Sequence, residues 1–458
     1  MEFVHKSYEK GKTIAAIATP PGDGGISIIR ISGDLALSIA NKVFSKDVKS
    51  FATHTAHLGN IISEHGEKID SALCLVMIAP NSFTGENTVE MQCHGGKLVT
   101  QAVLNAIFAA GAEPALPGEF TYKAFINGKI DLTKAEAIQE LIAAKNERAL
   151  KSAKRHLDGA LHNEIVKLQK KLVEIAAIFE AWVDYPEEGL EFASYDDILE
   201  DLQKIERIMQ LLHASYHEGK ILKDGLRLCL LGAPNVGKSS LLNALSKKES
   251  AIVTSIAGTT RDVIEEELMI GTLSVILSDT AGIRATDEII EKEGIKRSFS
   301  ASEDADLILY LIDANIGATK EDISLLEKLD KGKTLVVWNK CDVHAPVNTI
   351  EHPHQVQISA KKKVNLENLV KEIEKICSLE KLEEHKESIT LTSERHYKAL
   401  MQAKTCVFAA VDGLKKDLSP ELLCIEIKEA LKHLGTIIGF NITEDILSSI
   451  FSKFCVGK

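Results

Sequence analysis

The run Gly232-Ala233-Pro234-Asn235-Val236-Gly237-Lys238-Ser239 matches the pattern G-x-x-x-x-G-K-[ST], and no other feature of the 458-residue chain restricts its fold so tightly. Such a loop cradles phosphates only when a strand delivers it and a helix leaves it, because its backbone N–H groups and the positive end of the helix must converge on the same oxygens. The flanks comply: apolar Leu226 to Leu231 precedes the loop, and a helical pattern opens behind it. Lys238 is then expected to neutralise β- and γ-phosphate oxygens and Ser239 to ligate Mg²⁺. Asn235, Val236, Gly237 and Ser240 complete the expected phosphate contacts.

Three further segments follow in order, each after a candidate strand. Asp279-Thr280-Ala281-Gly282 offers a carboxylate that holds Mg²⁺ through water and a Gly N–H for the γ-phosphate. In Asn339-Lys340-Cys341-Asp342 a carboxylate can accept the hydrogens on guanine N1 and N2, which adenine cannot reproduce, so GTP is the expected nucleotide. The backbone of Ser359-Ala360-Lys361 can meet the guanine carbonyl. Between the loop and Asp279 stands Gly258-Thr259-Thr260-Arg261-Asp262, where a Thr hydroxyl completes the Mg²⁺ shell only while the γ-phosphate is present, which makes the loop a switch. The residue after Gly282 is Ile283 and not the Gln that orients water in Ras-like proteins, so another group must place the water.

Around these motifs the strand candidates Leu226–Leu231, Leu273–Leu277, Leu307–Ile312, Thr334–Trp338 and Val356–Ile358 alternate with amphipathic helices, which implies a mostly parallel sheet covered on both faces. Up to about residue 125, short apolar runs (Ile14 to Ala18, Ile26 to Ile31, Ala72 to Ile78) are separated by turn clusters such as Pro20 to Gly25, the pattern of an α+β domain. Taken alone, Arg30 within Ile28-Ile29-Arg30-Ile31 reads as an edge-strand charge. From Leu132 the period becomes helical, with Leu157, Leu161, Ile165, Leu168, Leu172, Ile175 and Phe179 on one face. After Tyr185-Pro186 a second face runs through Ile198, Leu202, Ile205, Met209 and Leu212, and the helical pattern returns from Ser393. A nucleotide-binding fold closes on itself, so the simplest architecture inserts it into a helical domain. The expected fold class is multidomain α/β and α+β: an α+β domain at 1–126, helical parts at 127–223 and 383–458, and a Ras-like G domain at 224–382.

Charge excludes one class of function. Lys and Arg number 54 against 66 Asp and Glu, a balance of −12, so binding of nucleic acid by overall positive charge is not expected. No apolar run approaches the roughly 20 residues that span a bilayer, and a cytoplasmic protein without a membrane partner is expected. The eight cysteines contain no C-x-x-C pair, which argues against a disulfide framework or a zinc site.

The runs Thr19-Pro-Pro-Gly-Asp-Gly-Gly-Ile26, Asn81-Ser-Phe-Thr-Gly-Glu86, His94-Gly-Gly96, Pro117-Gly-Glu-Phe120 and Phe454-Cys-Val-Gly-Lys458, joined to the nucleotide motifs, cover the whole chain. With them the sequence resembles the MnmE/TrmE family of tRNA-modification GTPases; only Cys93, where the family often has Gly, departs locally. The resemblance implies a homodimer whose N-terminal domain holds a tetrahydrofolate derivative, 5-formyl- or methylene-tetrahydrofolate. It also implies an FAD- and NADH-using partner, MnmG, in a heterotetramer that places an aminomethyl or carboxymethylaminomethyl group on carbon 5 of the wobble uridine (U34) of certain tRNAs. G domains of the family pair across a K⁺ ion that replaces an arginine finger.

Carried over by motif, the resemblance extends the GTP contacts to Thr254, Ser255, Ile256 and Ala257, ahead of Gly258, Thr259 and Thr260. It assigns K⁺ to Asn235, Thr254, Ile256 and Thr259, and Mg²⁺ to Ser239 and Thr260. The water-orienting acid falls on Glu291, in Glu291-Lys-Glu-Gly-Ile295. The folate positions are Arg30, Glu90, Lys129 and Lys458, with Cys455 open to three roles: nucleophile, structural thiol or cofactor neighbour. Two other functions share these motifs: a switch of the ribosome-assembly type, and a folate-dependent aminomethyltransferase with an accessory G domain.

Overall fold

The computed structural model describes residues 11–185, 194–245, 266–271, 273–278, 302–377 and 389–458. The chain forms two compact units, one of Met1–Ile142, His156–Ile198 and Thr405–Lys458, the other of Ala143–Arg155 and Leu199–Lys404.

The first unit holds a six-stranded sheet of β1 (Ile14–Ile17), β2 (Ile26–Ser32), β3 (Thr55–Ile62), β4 (Lys68–Met77), β5 (Thr88–His94) and β6 (Glu113–Pro114), in the order β3-β4-β5-β2-β1-β6. Alternation builds its core: in β2, Ile29 and Ile31 are buried on one face while Ile28 and Arg30 point to the other. The buried face joins Val89 and Met91 of β5 and Cys74 and Val76 of β4, and is closed by Ile39, Val103 and Ile107 from the helices Ala36–Val43 and Lys97–Ala109. Each such aliphatic side chain contributes about 1.5–3 kcal/mol. The expectation of an edge position for Arg30 is corrected: β2 pairs with β5 on one side and β1 on the other, so Arg30 lies in the sheet interior, across from Glu90 and Ala16. A charge there needs a partner where an edge charge would have had water.

Two long helices complete the unit. Ala160–Asp184 buries Leu161, Ile165, Leu168, Leu172, Ile175 and Phe179, and it packs against Pro420–Ile438, which buries Leu423, Ile427, Leu434 and Ile437. Leu157 does not share this helix, contrary to the single stripe expected. It ends the helix Glu147–Leu157, and Gly159, at φ +89°, turns the chain before the next one starts. Behind the helix Glu444–Phe451, Phe451 and Phe454 pack on Leu132 and Ala135 of the helix Leu132–Ala143.

The second unit carries β7 (Leu226–Leu231), β8 (Glu266–Ile270), β9 (Leu273–Ser278), β10 (Leu307–Asp313), β11 (Thr334–Asn339) and β12 (Gln355–Gln357), ordered β12-β11-β10-β7-β9-β8. All neighbours are parallel except β8, which returns antiparallel along β9. Every residue of β10 and β11 is buried, as a central parallel strand covered on both faces requires. The expected second helical face, Ile198 to Leu212, is buried along Tyr195–Ala214. Among the described residues, no helix is long and apolar enough to cross a membrane.

Candidate functional sites

In the second unit, the ends of β7, β10, β11 and β12 bring three of the sequence motifs together. The phosphate loop leaves β7, and Lys238 opens the helix Lys238–Leu245. Lys238 Nζ folds back onto the loop carbonyls of Gly232 (2.6 Å) and Ala233 (3.0 Å), and burial pushes its ammonium below the ordinary lysine value. A charge held partly desolvated among loop carbonyls is poised for an anion.

Asn339, at the end of β11 and 2% exposed, ties the motifs to one another. Its Nδ2 donates to Val236 O (2.8 Å) and its Oδ1 accepts from Ala360 N (3.0 Å). Gly237 fits beneath it only as glycine, since φ is +104° and a Cβ would stand 2.3 Å from Asn339 Nδ2. Lys340 Nζ donates to Asn235 O at 2.9 Å and pairs with Asp313 Oδ2 at 2.7 Å. Asp342 Oδ1 accepts from Ser359 Oγ at 2.6 Å, and that bond, with the charges of Lys361 and Lys362, holds its carboxyl below the usual range. Asp342 is therefore an exposed carboxylate acceptor held by Ser359, which suits guanine N1–H and N2–H.

Asp313 was not anticipated from the sequence. It ends β10 one residue past the expected strand, and its other oxygen accepts from Asn315 N (3.0 Å) and Nδ2 (2.9 Å). Burial alone would raise its carboxyl, but Lys340 and Asn315 outweigh that and hold it low. An acid closing an apolar strand next to the nucleotide motifs was the available signal. Thr254, Ser255, Ile256, Ala257, Gly258, Thr259, Thr260, Asp279, Thr280, Ala281, Gly282 and Glu291 lie outside the described residues.

In the first unit, Arg30 Nε pairs with Glu90 Oε1 at 2.8 Å, the two side chains 18% and 12% exposed. The guanidinium lies 5.6 Å from the ring centroid of Phe120, and its NH1 donates to Gly457 O at 3.4 Å. The C-terminal tag is fixed on this spot through the backbone. Phe120 N donates to Lys458 O (3.2 Å) and Gly118 N to Cys455 O (3.4 Å). Gly457, at φ +95°, passes so close to β1 that a Cβ would stand 2.3 Å from Ile17 O. Arg30, Glu90 and the backbone of the tag thus meet, and the Cys455 side chain is exposed. Lys129 reaches elsewhere, donating from Nζ to Pro80 O at 3.0 Å. Phe120 and the Gly457 carbonyl were missed because neither carries a charge. Among the described residues, no group of His, Cys, Asp and Glu could hold a metal ion.

Comparison with known proteins gives the family of the chain. The family model "GTP-binding protein TrmE N-terminus" matches residues 13–129 and "MnmE helical domain" matches 132–455. A relative named "tRNA modification GTPase MnmE" from Protochlamydia amoebophila is 53% identical over 100% of both chains. Relatives of the same name from Chlamydia caviae and Chlamydia trachomatis serovar D are 44% and 42% identical over 98% of this chain and 100% of theirs. Identity of this order from end to end, on a chain that carries the family's nucleotide motifs and its C-terminal tag, places the protein in the MnmE/TrmE family of tRNA modification GTPases.

Proposed function

We propose that the protein is a K⁺-dependent GTPase that acts with an FAD- and NADH-using partner of the MnmG type. The pair adds a carboxymethylaminomethyl or aminomethyl group to carbon 5 of the wobble uridine of certain tRNAs, with a tetrahydrofolate derivative as the source of the one-carbon unit. The observation that carries the folate half is the interior Arg30–Glu90 pair with the C-terminal tag against it. A pterin presents an amidine-like edge that a carboxylate such as Glu90 can bind, and its glutamate tail presents carboxylates to Arg30, Lys129 and Lys458. When bound, the folate supplies one carbon; these side chains bind and orient it. Cys455, exposed in the same tag, serves as a nucleophile, a structural thiol or a neighbour of the cofactor.

In the GTPase half, Asp342 selects guanine, Asn339 and Lys340 brace the loop, and Lys238 meets the phosphates. Ser239 and Thr260 are the Mg²⁺ ligands. For K⁺ the residue to weigh is Asn235, whose exposed amide makes no hydrogen bond among the described residues, leaving a neutral oxygen suited to a monovalent cation. Thr254, Ile256 and Thr259 complete that set, and Glu291 orients the attacking water. Bound between two G domains, K⁺ supplies the positive charge that an arginine finger supplies elsewhere. The protein is then a homodimer in the cytoplasm, with tRNA contacts drawn largely from the partner given the net charge of −12. The divisions 1–126, 127–223, 224–382 and 383–458 are the domains assigned to these tasks.

Arg30→Ala tests the reading. Reduced-folate affinity, measured by titration calorimetry on the full chain, falls while GTP hydrolysis is kept. Unchanged folate affinity, or no folate binding by the unaltered protein, returns the chain to a switch of the ribosome-assembly type.

A further inference from the structure

One short helix departs from the charge of the rest of the chain. Residues 143–155 carry five Lys and Arg against one Glu, a local balance of +4 in a protein whose overall balance is −12. They belong to the second unit and contain most of the helix Glu147–Leu157. That helix is divided by side: Ala149, Ala153 and His156 are buried, while Lys151, Lys154 and Arg155 are exposed on the opposite side. Lys151 stands three and four residues before Lys154 and Arg155, which puts the cations on one face, the Cβ atoms of the latter two about 5–6 Å from that of Lys151.

Such a cluster is unfavourable until something neutralises it, because like charges one turn apart repel. Elsewhere the chain supplies the counter-charge from the same helix: Lys171 pairs with Glu174, Lys204 with Glu200, Lys398 with Glu394 and Lys432 with Glu429. Lys151 and Lys154 make no ion pair or hydrogen bond among the described residues, although Glu147 lies one turn before Lys151.

Acids of the neighbouring elements are already engaged. Lys145 Nζ holds Glu267 Oε2 of β8 at 2.7 Å, and Arg148 NH2 holds Glu374 Oε1 of the helix Leu366–Ile376 at 3.4 Å. On that second helix Lys375 pairs with Glu372, and Lys371, three residues before Glu374 on the same face, is exposed. The two pairs made by Lys145 and Arg148 tie the basic helix to the nucleotide-binding unit, so its free cations are presented on a fixed support. The missing counter-charge is thus an anion brought from outside, and one with repeated charge. A nucleic acid strand carries one phosphate for about every 3.4 Å of its axis, so two or three phosphates lie within reach of cations spread over one helical turn. A member of a tRNA modification family meets such a strand in its substrate.

We propose that the face of Lys151, Lys154 and Arg155 binds the phosphate backbone of the tRNA, as a contact that this chain makes itself. No base need be read there, since RNA helices are held through phosphates and 2′-hydroxyls. The inference takes from the functional reading only that tRNA is the substrate; folate and K⁺ have no part in it. Fluorescein-labelled tRNA, titrated with the full chain alone at several salt concentrations and followed by anisotropy, reads the contact. Lys151→Gln/Lys154→Gln keeps two good helix formers and removes two charges. Its affinity near 0.1 M salt should fall by about tenfold, and the slope of log K against log salt should lessen by about 1.5, the loss of two phosphate contacts. Lys170→Gln/Lys171→Gln, on the helix Ala160–Asp184, changes the net charge equally and should leave affinity and slope as they were. GTP hydrolysis without tRNA should be the same in all three proteins. Equal losses in the two double variants, or an affinity and slope that Lys151→Gln/Lys154→Gln does not move, overturn the face. Absence of tRNA binding by the unaltered chain at low salt also overturns it and leaves the tRNA contacts to the partner. Kept tRNA affinity with lost affinity for an MnmG-type protein would make the same face a protein interface, against the proposal.

Discussion

Replacing Asp313 with Ala should loosen the nucleotide site without touching any group that contacts the nucleotide. Lys340 stands at φ +65° and bridges Asp313 Oδ2 at 2.7 Å and Asn235 O at 2.9 Å. Asp313 therefore holds the lysine that holds the loop. A hydrogen bond between charged groups contributes about 1.5–3 kcal/mol when well buried. The Lys340 side chain is 37% exposed, so water screens the pair and rehydrates the ammonium once its partner is gone, and about 1 to 1.5 kcal/mol is the realistic loss. That corresponds to about five- to tenfold in nucleotide affinity. Stopped-flow release of a fluorescent GDP analogue should show the change mainly as faster dissociation. The Asp313→Ala/Lys340→Ala double variant should dissociate no faster than Lys340→Ala alone, because the two residues act in series. Additive effects in that cycle, or an unchanged dissociation rate in the single variant, would refute the reasoning.

Other expectations follow from neighbouring geometry. Asp342→Asn replaces a double acceptor by an acceptor and a donor, so binding assays should show weaker GTP and a shift toward xanthosine triphosphate; unaltered base preference would remove Asp342 from its role. Gly237→Ala should abolish nucleotide binding in a protein that still melts cooperatively, since the methyl has no space beside Asn339 Nδ2. At the end of β5, burial would raise the Asp70 carboxyl, but bonds from His94 N and Nδ1, both at 2.8 Å, and from Ser71 N hold it below 3.8. Its stabilisation is complete above that value and is lost as pH falls through the lower folded value. Melting curves of the unaltered protein and Asp70→Asn should hence differ at neutral pH and draw together only as pH falls below 3.8, and a gap independent of pH would count against the pair.

The second unit was largely legible in the sequence because its central parallel strands, covered on both faces, appear as short unbroken apolar runs. Leu226–Leu231 is reproduced to the residue. β8 was not anticipated because Glu266-Glu267 opens it and only one side of it has a partner strand. In the first unit, β3 and β5 mix His, Asn, Gln and Glu into their partly open faces, which dilutes the alternation that marks a strand. The stripe from Leu157 to Phe179 keeps its period across a break, since Asp158-Gly159 offsets the helices without erasing the spacing of the apolar residues. Arg30 shows the limit most plainly. Its strand was readable, but its interior position depends on β1 and β5, far away in sequence, and local pattern carries no information about strand order. The three motifs within the described residues could be read because each is a contiguous run at a strand end; the brace from Asp313 could not, because it acts through another side chain.

The central proposal is that a cation does here what an arginine finger does in related G domains. An arginine finger accounts for about 10³ to 10⁵ in rate, so its replacement must be felt on that scale. Single-turnover GTP hydrolysis by the purified full chain, with no added protein, in KCl and in NaCl at equal ionic strength is the most direct test. The account predicts fast hydrolysis in K⁺ and a fall of orders of magnitude in the smaller Na⁺, which sits poorly against the Asn235 amide and its companion ligands. Equal rates in the two salts would contradict it.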